Sequence, residues 1–318
     1  MLAAYVASTS ATDPFAGLIV GERPAPEPRE HWTTVDVAAA SLNHHDLWSL
    51  RGVGLPDALL PMILGTDAAG TTADGRRVLV HGVIGADGHG VGPTERRSLL
   101  SERYPGTLAE QVSVPTANLL DVPDGLDLTV AACLPTAWLT AYSLLFRACD
   151  LRPGDSVLVQ GAGGGVASAA IVLGVAAGLE VFATSRSAAK RERATALGAT
   201  ALEPGARLPR RVDGVVETVG RATWRHSVSS VRPGGTVAVA GATTGDPDAA
   251  ELTRIFFQEI RVQGVTMGTR DDLAALAAFV ARTGIEPPVA DVLPLAEAER
   301  GLRALDAGDH FGKIVLQP

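Results

Sequence analysis

One stretch near the middle of the chain constrains the fold more than any other, because it joins a strand, a glycine turn and a helix. Residues 157–159 are apolar, residues 161–165 are glycine-rich, and an apolar helix is predicted to run from there to about Gly178. Glycine lets a phosphate group approach the backbone, and the start of a helix offers N–H donors and a positive dipole end. The order of strand, turn and helix therefore predicts a nucleotide-binding α/β unit.

The pattern on either side of this stretch predicts two domains. After Pro123-Asp124-Gly125, strand and helix patterns alternate, which is typical of a parallel sheet with right-handed crossovers. Before it, the chain is rich in short strands and loops, and residues 82–92 form a glycine-rich segment that we expect to be a surface loop. We therefore expect a β-rich domain first and an α/β domain after it.

Composition excludes several classes of function. The 318 residues are 46% hydrophobic and carry a formal net charge of −8, which argues against a nucleic-acid partner because phosphates would be repelled. We find no apolar run of the roughly 18 residues that a membrane helix needs, and the first residues lack a signal-peptide layout. The chain has two cysteines, Cys133 and Cys149, and we therefore expect no disulfide framework. We predict a cytoplasmic protein that binds a small molecule.

Short motifs outside the glycine turn are weak singly but specific in their order. They are Leu42-Asn43-His44-His45-Asp46, Gly65-Thr66-Asp67-Ala68-Ala69-Gly70, Gly106-Thr107-Leu108-Ala109-Glu110, Ala131-Ala132-Cys133-Leu134, Thr140-Ala141-Tyr142, Arg152-Pro153-Gly154-Asp155, Leu197-Gly198-Ala199, Arg232-Pro233-Gly234-Gly235-Thr236 and Gly312-Lys313-Ile314-Val315-Leu316. This order resembles the medium-chain dehydrogenase/reductase superfamily over nearly the whole chain. The resemblance implies an α/β fold: a GroES-like β-rich catalytic domain from residues 1–122 and 265–318, and a Rossmann NADP-binding domain, a doubly wound parallel sheet, from residues 123–264.

The resemblance also allows the metal positions to be compared. Zinc enzymes of this superfamily bind a catalytic ion with a cysteine, a histidine and a second cysteine or an acid, which are donors that zinc prefers. In this chain Asn43, Thr66 and Thr136 fall at or near those three places. None is a good zinc donor, so the chain resembles the zinc-free quinone oxidoreductases and enoyl reductases, and we predict no metal site.

A competing metal site would use the neighbouring histidines. His44, His45 and Asp46 lie together in sequence, and His81 or His89 would complete a ligand set. Adjacent side chains on a helix point about 100° apart, so His44 and His45 are poorly placed to share one ion. We expect this alternative to fail.

The end of the second strand indicates which cofactor is bound. In NAD-preferring units an acidic residue there binds the ribose hydroxyls; by the family spacing this chain has Ser185 at that place, followed by Arg186 and Lys190. Hydroxyl groups and cations suit a 2′-phosphate, so we predict NADPH, although the two cations would also suit a solvated helix start. The glycine turn fits Gly-x-Gly-x-x-Gly through Ala162, Gly164 and Ala167. The predicted cofactor-binding residues are Thr136, Gly161, Gly163, Gly164, Gly165, Val166, Ser185, Arg186, Lys190, Gly241, Met267, Gly268 and Lys313.

Without a Lewis acid, hydride transfer to a conjugated carbonyl is easier than alcohol oxidation. We therefore predict an NADPH-dependent reductase of quinones, enones or enoyl esters and thioesters. Asn43 would donate to the substrate carbonyl or cap the following helix, and the two readings stay open. His44 or His45 would supply a proton near neutral pH, and at least one of the two is expected to be structural. Asp46 would orient a neighbour or an arginine, and Tyr104 is a weaker candidate for the proton donor. The predicted catalytic residues are Asn43, His44, Asp46 and Tyr104.

Other functions and an assembly remain to be considered. A zinc-free relative could bind NADPH without turnover, act on a carrier-bound intermediate, or be a zinc-type alcohol dehydrogenase-like enzyme in spite of its residues. Residues 259–267 are predicted to form a strand at the edge of the sheet. Relatives pair this edge with a second copy, and exposed strand edges favour such pairing, so we predict a homodimer.

Overall fold

The chain divides into two compact units in a computed structural model that describes residues 1–85 and 98–318. The first unit comprises Met1–Thr136 with Thr269–Pro318, and the second comprises Ala137–Gly268. Both borders lie further along the chain than 122 and 264, the borders expected from the sequence. The first one differs because residues 128–132 pack on two strands of the first unit, and the Ser41 hydroxyl lies 2.9 Å from the Ala132 carbonyl oxygen.

Strands form the sheets of the first unit and the centre of the second. Within the described residues they are β1 (Leu2–Val6), β2 (Leu18–Glu22), β3 (Trp32–Ser41), β4 (Met62–Ile63), β5 (Asp67–Thr72), β6 (Arg77–Val80), β7 (Val83–Ile84), β8 (Ser98–Leu99), β9 (Gln111–Pro115), β10 (Leu119–Asp121), β11 (Ser156–Val159), β12 (Glu180–Thr184), β13 (Thr200–Leu202), β14 (Val212–Glu217), β15 (Val231–Val239), β16 (Arg261–Gly264), β17 (Val289–Pro294) and β18 (Lys313–Gln317).

Helices connect the strands, above all in the second unit. In the same residues the α-helices are α1 (His44–Leu50), α2 (Leu128–Ala131), α3 (Leu139–Tyr142), α4 (Gly165–Ala176), α5 (Ala188–Ala196), α6 (Trp224–Ser230), α7 (Leu252–Phe257), α8 (Arg270–Thr283) and α9 (Ala298–Ala307). The helix predicted over residues 136–147 is interrupted, because α3 is flanked by the π-helical segments Leu134–Trp138 and Ser143–Ala148. In the described part of the chain, no helix combines the length and apolar character needed to cross a bilayer.

The main sheet of the first unit is built around β3. Its strand order is β10-β6-β5-β3-β18-β17, and β9 also pairs with β3. Buried Val35 and Val37 alternate with exposed Asp36 along β3, whereas the last residues of the strand, including Ser41, are all buried. Ser41 lies opposite Asp67 of β5 and Val315 of β18. The register therefore brings the end of one strand and the starts of two others to one buried place.

The sheet of the second unit is parallel throughout, in the order β13-β12-β11-β14-β15-β16. Strand order reverses at β11, since β12 follows on one side and β14 on the other. In open sheets of this kind, ligands bind outside the carboxyl ends of the strands at the reversal. The glycine turn directly follows β11, so it lies at that point. These sheets confirm the predicted α/β class, with a β-rich unit and a parallel sheet whose strand order reverses as in doubly wound folds.

Candidate active site

A buried ammonium group lies at the centre of the polar cluster in the first unit. Lys313 begins β18 and is only 2% exposed. Its Nζ lies 2.7 Å from the Leu42 carbonyl oxygen, 2.6 Å from Asn43 Oδ1 and 3.2 Å from Asp67 Oδ2. A lysine ammonium has three N–H donors and no acceptor, so each donor has a partner here. Its ammonium contacts three oxygens of its own unit, and the role of Lys313 toward a cofactor stays a prediction.

Asn43 has two roles that use different parts of the residue. Its backbone occupies the N-cap position of α1, where its N–H donates to Asp46 Oδ2 at 2.8 Å. Its side-chain oxygen accepts from Lys313, and its Nδ2 lies 3.3 Å from both the Ser41 carbonyl oxygen and Thr66 Oγ1. The sequence left two alternatives for Asn43, capping of the helix or donation of its amide to a substrate carbonyl. The structure places Asn43 at the N-cap position and its side-chain amide inside the cluster, and a bond to substrate stays a prediction.

Asp46 serves to hold two segments of backbone together. Its carboxylate is fully buried and accepts from the Asn43 N–H and, at 3.0 Å, from the Gly65 N–H. Burial, the largest effect, raises the pKa of Asp46 to about 6, while the nearby His45 and the hydrogen bond from Asn43 act in the opposite direction. Asp46 was predicted to orient a neighbouring residue, and the groups that it holds are the backbone N–H groups of Asn43 and Gly65.

The three residues at the former metal positions are joined by hydrogen bonds. Asn43 Nδ2 contacts Thr66 Oγ1, and Thr66 Oγ1 lies 2.9 Å from Thr136 Oγ1. Their amide and hydroxyl groups do not fit zinc, which prefers thiolate, imidazole and carboxylate donors. The ammonium of Lys313, 2.6 Å from Asn43 Oδ1, would also repel a cation. We therefore derive no step through a metal at this place.

The other candidate catalytic residues of this unit contact residues outside the Lys313 cluster. The His44 ring contacts the Trp48 ring edge-on at 5.6 Å, and loss of hydration followed by repulsion from Arg51 lowers the pKa of His44. His45 Nε2 lies 3.1 Å from Glu102 Oε1. Tyr104 packs on the Trp32 ring at 5.1 Å. Among residues 1–85 and 98–318, no three His, Cys, Asp or Glu side chains gather to hold a metal ion, and His89 lies outside those residues.

The glycine turn of the second unit has the backbone geometry of an anion site. Gly161 and Gly163 have φ values of 75° and 137°, which are favoured only by glycine. Gly164 is the N-cap of α4, and no side chain caps this helix. The N–H groups of the first turn, which includes Gly165 and Val166, therefore remain available to a phosphate. This arrangement fits the diphosphate of a dinucleotide.

The end of β12 lies beside that turn. Ser185 directly follows β12 and is buried, whereas Arg186 is exposed. The side chain of Lys190 lies against the turn, since a Cβ atom built on Gly163 would be 2.7 Å from Lys190 Cδ. Sequence reasoning missed Arg191, whose Nη1 donates to the Ser185 and Arg186 carbonyl oxygens at 2.8 and 3.1 Å. These bonds fix the short segment that was predicted to bind the 2′-phosphate.

Sequence reasoning also missed a buried polar network behind the glycine turn. Glu217, at the end of β14, is fully buried, and its Oε2 accepts from Ser227 Oγ at 2.5 Å. Ser227 Oγ accepts in turn from Gln160 Nε2 at 3.0 Å, and Gln160 Oε1 accepts from Thr184 Oγ1 at 2.6 Å. The Gly161 N–H donates to Thr184 Oγ1 at 3.3 Å. Polar residues at the ends of three parallel strands thus tie the turn to the sheet.

The remaining predicted cofactor residues of this unit lie in its loops. Met267 adopts a positive φ of 52°, and Gly268 follows it. A Cβ atom at Gly268 would be 2.5 Å from Ser143 Oγ, so a larger residue would require the Ser143 side chain to move. Gly241 lies in the segment after β15, close to the Thr218 carbonyl oxygen. Their role toward a cofactor stays a prediction.

Comparison with known proteins identifies the family. Residues 29–124 match the family described as alcohol dehydrogenase GroES-like domain, and residues 165–282 match zinc-binding dehydrogenase. A protein of Escherichia coli K12 named probable acrylyl-CoA reductase AcuI is 32% identical over 73% of this chain and 72% of its own. The chain belongs to the medium-chain dehydrogenase/reductase superfamily. The predicted superfamily is thereby confirmed, and the chain is an oxidoreductase of this superfamily.

Solved structures of the superfamily share its fold over the full length. An NAD-dependent alcohol dehydrogenase matches with a TM-score of 0.89 and 32% identity, covering 100% of both chains. The 2-octenoyl-CoA carboxylase reductase CinF, solved in complex with NADP and 2-octenoyl-CoA, matches with a TM-score of 0.88 and 25% identity, covering 99% of this chain and 87% of CinF. Members of the superfamily thus include both an alcohol dehydrogenase and an enoyl-thioester enzyme.

Proposed function

We propose that this member of the superfamily is an NADPH-dependent reductase of conjugated carbonyl compounds, with enoyl thioesters as its first substrate class. One observation carries the proposal: amide and hydroxyl groups, hydrogen-bonded to a buried ammonium, replace the metal donors at Asn43, Thr66 and Thr136. Such groups suit an oxygen that becomes negative during the reaction, as it does when an enoyl thioester is reduced. The names of AcuI and of the ligands of CinF support the same substrate class.

The chemistry that the protein must assist follows from the substrate class. A reduced nicotinamide, when bound, supplies the hydride that forms a C–H bond at the β-carbon. The C=C π bond breaks, the electron pair moves onto the carbonyl oxygen as an enolate, and the α-carbon then takes a proton from water. The cluster presents a hydrogen-bond donor to the carbonyl oxygen, and this bond lowers the barrier because it is strongest when the oxygen carries the most negative charge.

NADPH is proposed over NADH because of the residues around the end of β12. Ser185 takes the place of the acidic residue that would repel a 2′-phosphate, and Arg186 and Lys190 supply positive charge beside it. The Lys190 side chain lies against Gly163 of the glycine turn, which supports a role in binding a phosphate rather than a purely solvated position.

A panel of substrates tests the proposal directly. The purified enzyme is given NADPH or NADH with crotonyl-CoA, an enone, a benzoquinone, or an alcohol together with the oxidised cofactors. We expect crotonyl-CoA with NADPH to give the highest kcat/KM, and activity to survive treatment with a chelator. Preferred oxidation of the alcohol, or activity that zinc restores after chelation, would overturn the proposal. Binding of NADPH without turnover of any substrate would favour a non-catalytic binding protein.

Quinone reduction is a second candidate because it needs the same kind of stabilisation of an oxygen anion. Relatives of this chain include a probable quinone oxidoreductase of Schizosaccharomyces pombe, 28% identical over 96% of this chain. The benzoquinone arm of the panel separates the two. A kcat/KM for benzoquinone above that for crotonyl-CoA would favour the quinone.

We also propose that the protein forms a homodimer through the edge of the second unit's sheet. All four residues of β16, the last strand of that sheet, are exposed. Nearby on α7, Phe256 and Phe257 are exposed by 63% and 72%. An exposed edge flanked by aromatic side chains favours pairing with a second copy.

A further inference from the structure

In the polar cluster, the available donors and acceptors decide which group donates in each hydrogen bond, and the series of donors begins at Lys313. The ammonium can only donate, so Asn43 must turn its oxygen toward Lys313. The amide nitrogen then faces the Ser41 carbonyl oxygen, which can only accept, and this contact fixes the same orientation independently. No choice of orientation remains for the Asn43 amide.

The direction continues through the two threonines. Asn43 Nδ2 donates to Thr66 Oγ1, so the hydroxyl hydrogen of Thr66 needs an acceptor of its own. Thr136 Oγ1, 2.9 Å away, is the acceptor that the described residues provide. The hydroxyl hydrogen of Thr136 then points away from this series of hydrogen bonds, and none of residues 1–85 and 98–318 accepts it.

Burial decides which member of the chain can reach a substrate. Lys313, Asn43 and Thr66 are exposed by 2%, 6% and 0%, whereas Thr136 is partly exposed. Both amide protons of Asn43 already have acceptors inside the protein. Thr136 is therefore the outward end of the chain, and a hydrogen bond that it donates is strengthened by the polarised links behind it.

We propose that the Thr136 hydroxyl donates the hydrogen bond to the carbonyl oxygen of the substrate, and that Lys313 fixes its direction through Asn43 and Thr66. The inference rests on the proposed function and names the group that acts there. Thr136 is the residue that touches substrate, and the other three are positioning residues. Thr136 keeps its proton throughout: the substrate oxygen gains a stronger hydrogen bond as the enolate forms, and the α-carbon is protonated by water.

Kinetics of matched variants test the role of the hydroxyl. With crotonyl-CoA and NADPH, Thr136→Val should lower kcat by about 10–100-fold with KM changed less than about threefold, since one oxyanion donor is lost. Thr136→Ser should stay within about threefold of the wild type, and Thr66→Val should behave like Thr136→Val. The control is Thr33→Val, which breaks another Thr–Thr pair, to Thr116 at 2.8 Å, on the outer end of β3. Unchanged kcat in Thr136→Val would overturn the proposal.

Infrared spectroscopy gives a readout that does not depend on turnover. The C=O stretch of ¹³C-labelled crotonyl-CoA is measured on the protein loaded with NADP⁺, which cannot donate a hydride. We expect the stretch to fall below that of free crotonyl-CoA in the wild type and in Thr136→Ser, and to return toward the free value in Thr136→Val. The Lys313→Met/Asp67→Asn double variant should also lose most of the shift and of kcat. A shift that persists in Thr136→Val refutes the assignment.

The chain of bonds is tested separately from the function. In ¹⁵N-labelled protein without ligands, the carboxamide protons of Asn43 should exchange slowly with water, and Thr66→Val should speed this exchange by about tenfold or more. Exchange unaffected by Thr66→Val refutes the chain. If the wild type neither binds nor reduces any substrate of the panel, the proposed function fails and the substrate role of Thr136 fails with it, whereas the exchange result still decides the chain.

Discussion

Replacement of Lys313 by methionine gives the sharpest test of how the first unit is held together. The substitution keeps an unbranched side chain as far as the ε position but removes the ammonium from beside Asp67, which is fully buried. Asp67 Oδ1 already has no hydrogen-bond partner among the described residues, so its carboxylate would keep only the Ser41 hydroxyl at Oδ2. Removing one partner of a buried ion pair costs about 3–5 kcal/mol.

The size of the effect allows a clear measurement. At about 2–4 °C per kcal/mol for a unit of roughly 150–250 residues, Lys313→Met should lower Tm by about 6–20 °C. Urea unfolding followed by fluorescence and by circular dichroism gives the free energy of unfolding. The Lys313→Met/Asp67→Asn double variant removes both charges, and we expect it to recover more than half of the loss.

An exposed ion pair in the same unit serves as the control. Arg300 Nη2 lies 2.9 Å from Asp291 Oδ2, a distance like that in the buried pair, but both side chains are at least half exposed. Arg300→Met should lower the free energy of unfolding by less than about 1 kcal/mol. A loss below about 1 kcal/mol in Lys313→Met, or a double variant as unstable as the single one, would refute the reasoning.

Three further predictions concern the second unit. Arg186→Ala should raise the Kd for NADPH by about tenfold or more and the Kd for NADH by less than about threefold. Fluorescence titration measures both constants, and Arg225→Ala is the control variant. Equal losses of affinity for the two cofactors would contradict the 2′-phosphate site. Val262→Lys, on the exposed strand β16, should convert the proposed dimer to a monomer in sedimentation, and a dimer that survives it would exclude this edge. Burial opposes ionisation of Asp213, but hydrogen bonds from Arg232 and Ser156 outweigh it and lower the pKa of Asp213 to about 2. Because this pKa lies below that of the unfolded chain, the stabilisation is complete above about pH 4 and is lost as the pH falls toward 2. Asp213→Asn should therefore cost about 1–2 kcal/mol at pH 7 and progressively less as the pH falls through 2, and a cost that is independent of pH would count against the linkage.

The sequence predicted the second unit well because its signals are local. Strand, glycine turn and helix follow one another within about 25 residues, and positive φ values at Gly161 and Gly163 require the glycines found there. The same locality explains what was missed. Glu217 and Gln160 are each ordinary strand-end residues in the sequence, and only the parallel order of β11 and β14 brings them into one network.

The first unit shows the limit of local reasoning most clearly at Lys313. Its partners Asn43 and Asp67 lie 270 and 246 residues away along the chain, and only the register of β18 on β3 and of β3 on β5 places them together. The motif Gly312-Lys313 indicated that the residue matters but gave no reason to place it beside the metal positions. The resemblance located those positions, whereas their hydrogen bonding depended on the fold.

The presence of Lys313 explains how the metal positions can hold polar residues without a metal. Buried hydroxyl and amide groups without hydrogen-bond partners would destabilise the unit. Here one ammonium supplies a positive charge, binds the Asp67 carboxylate and leaves the amide of Asn43 in one orientation. A lysine can perform these structural tasks of the ion, but it cannot coordinate a substrate oxygen directly from its buried place. In the proposed mode of binding, the substrate oxygen therefore contacts the outermost of the hydrogen-bonded side chains, which is Thr136, and not Lys313 itself.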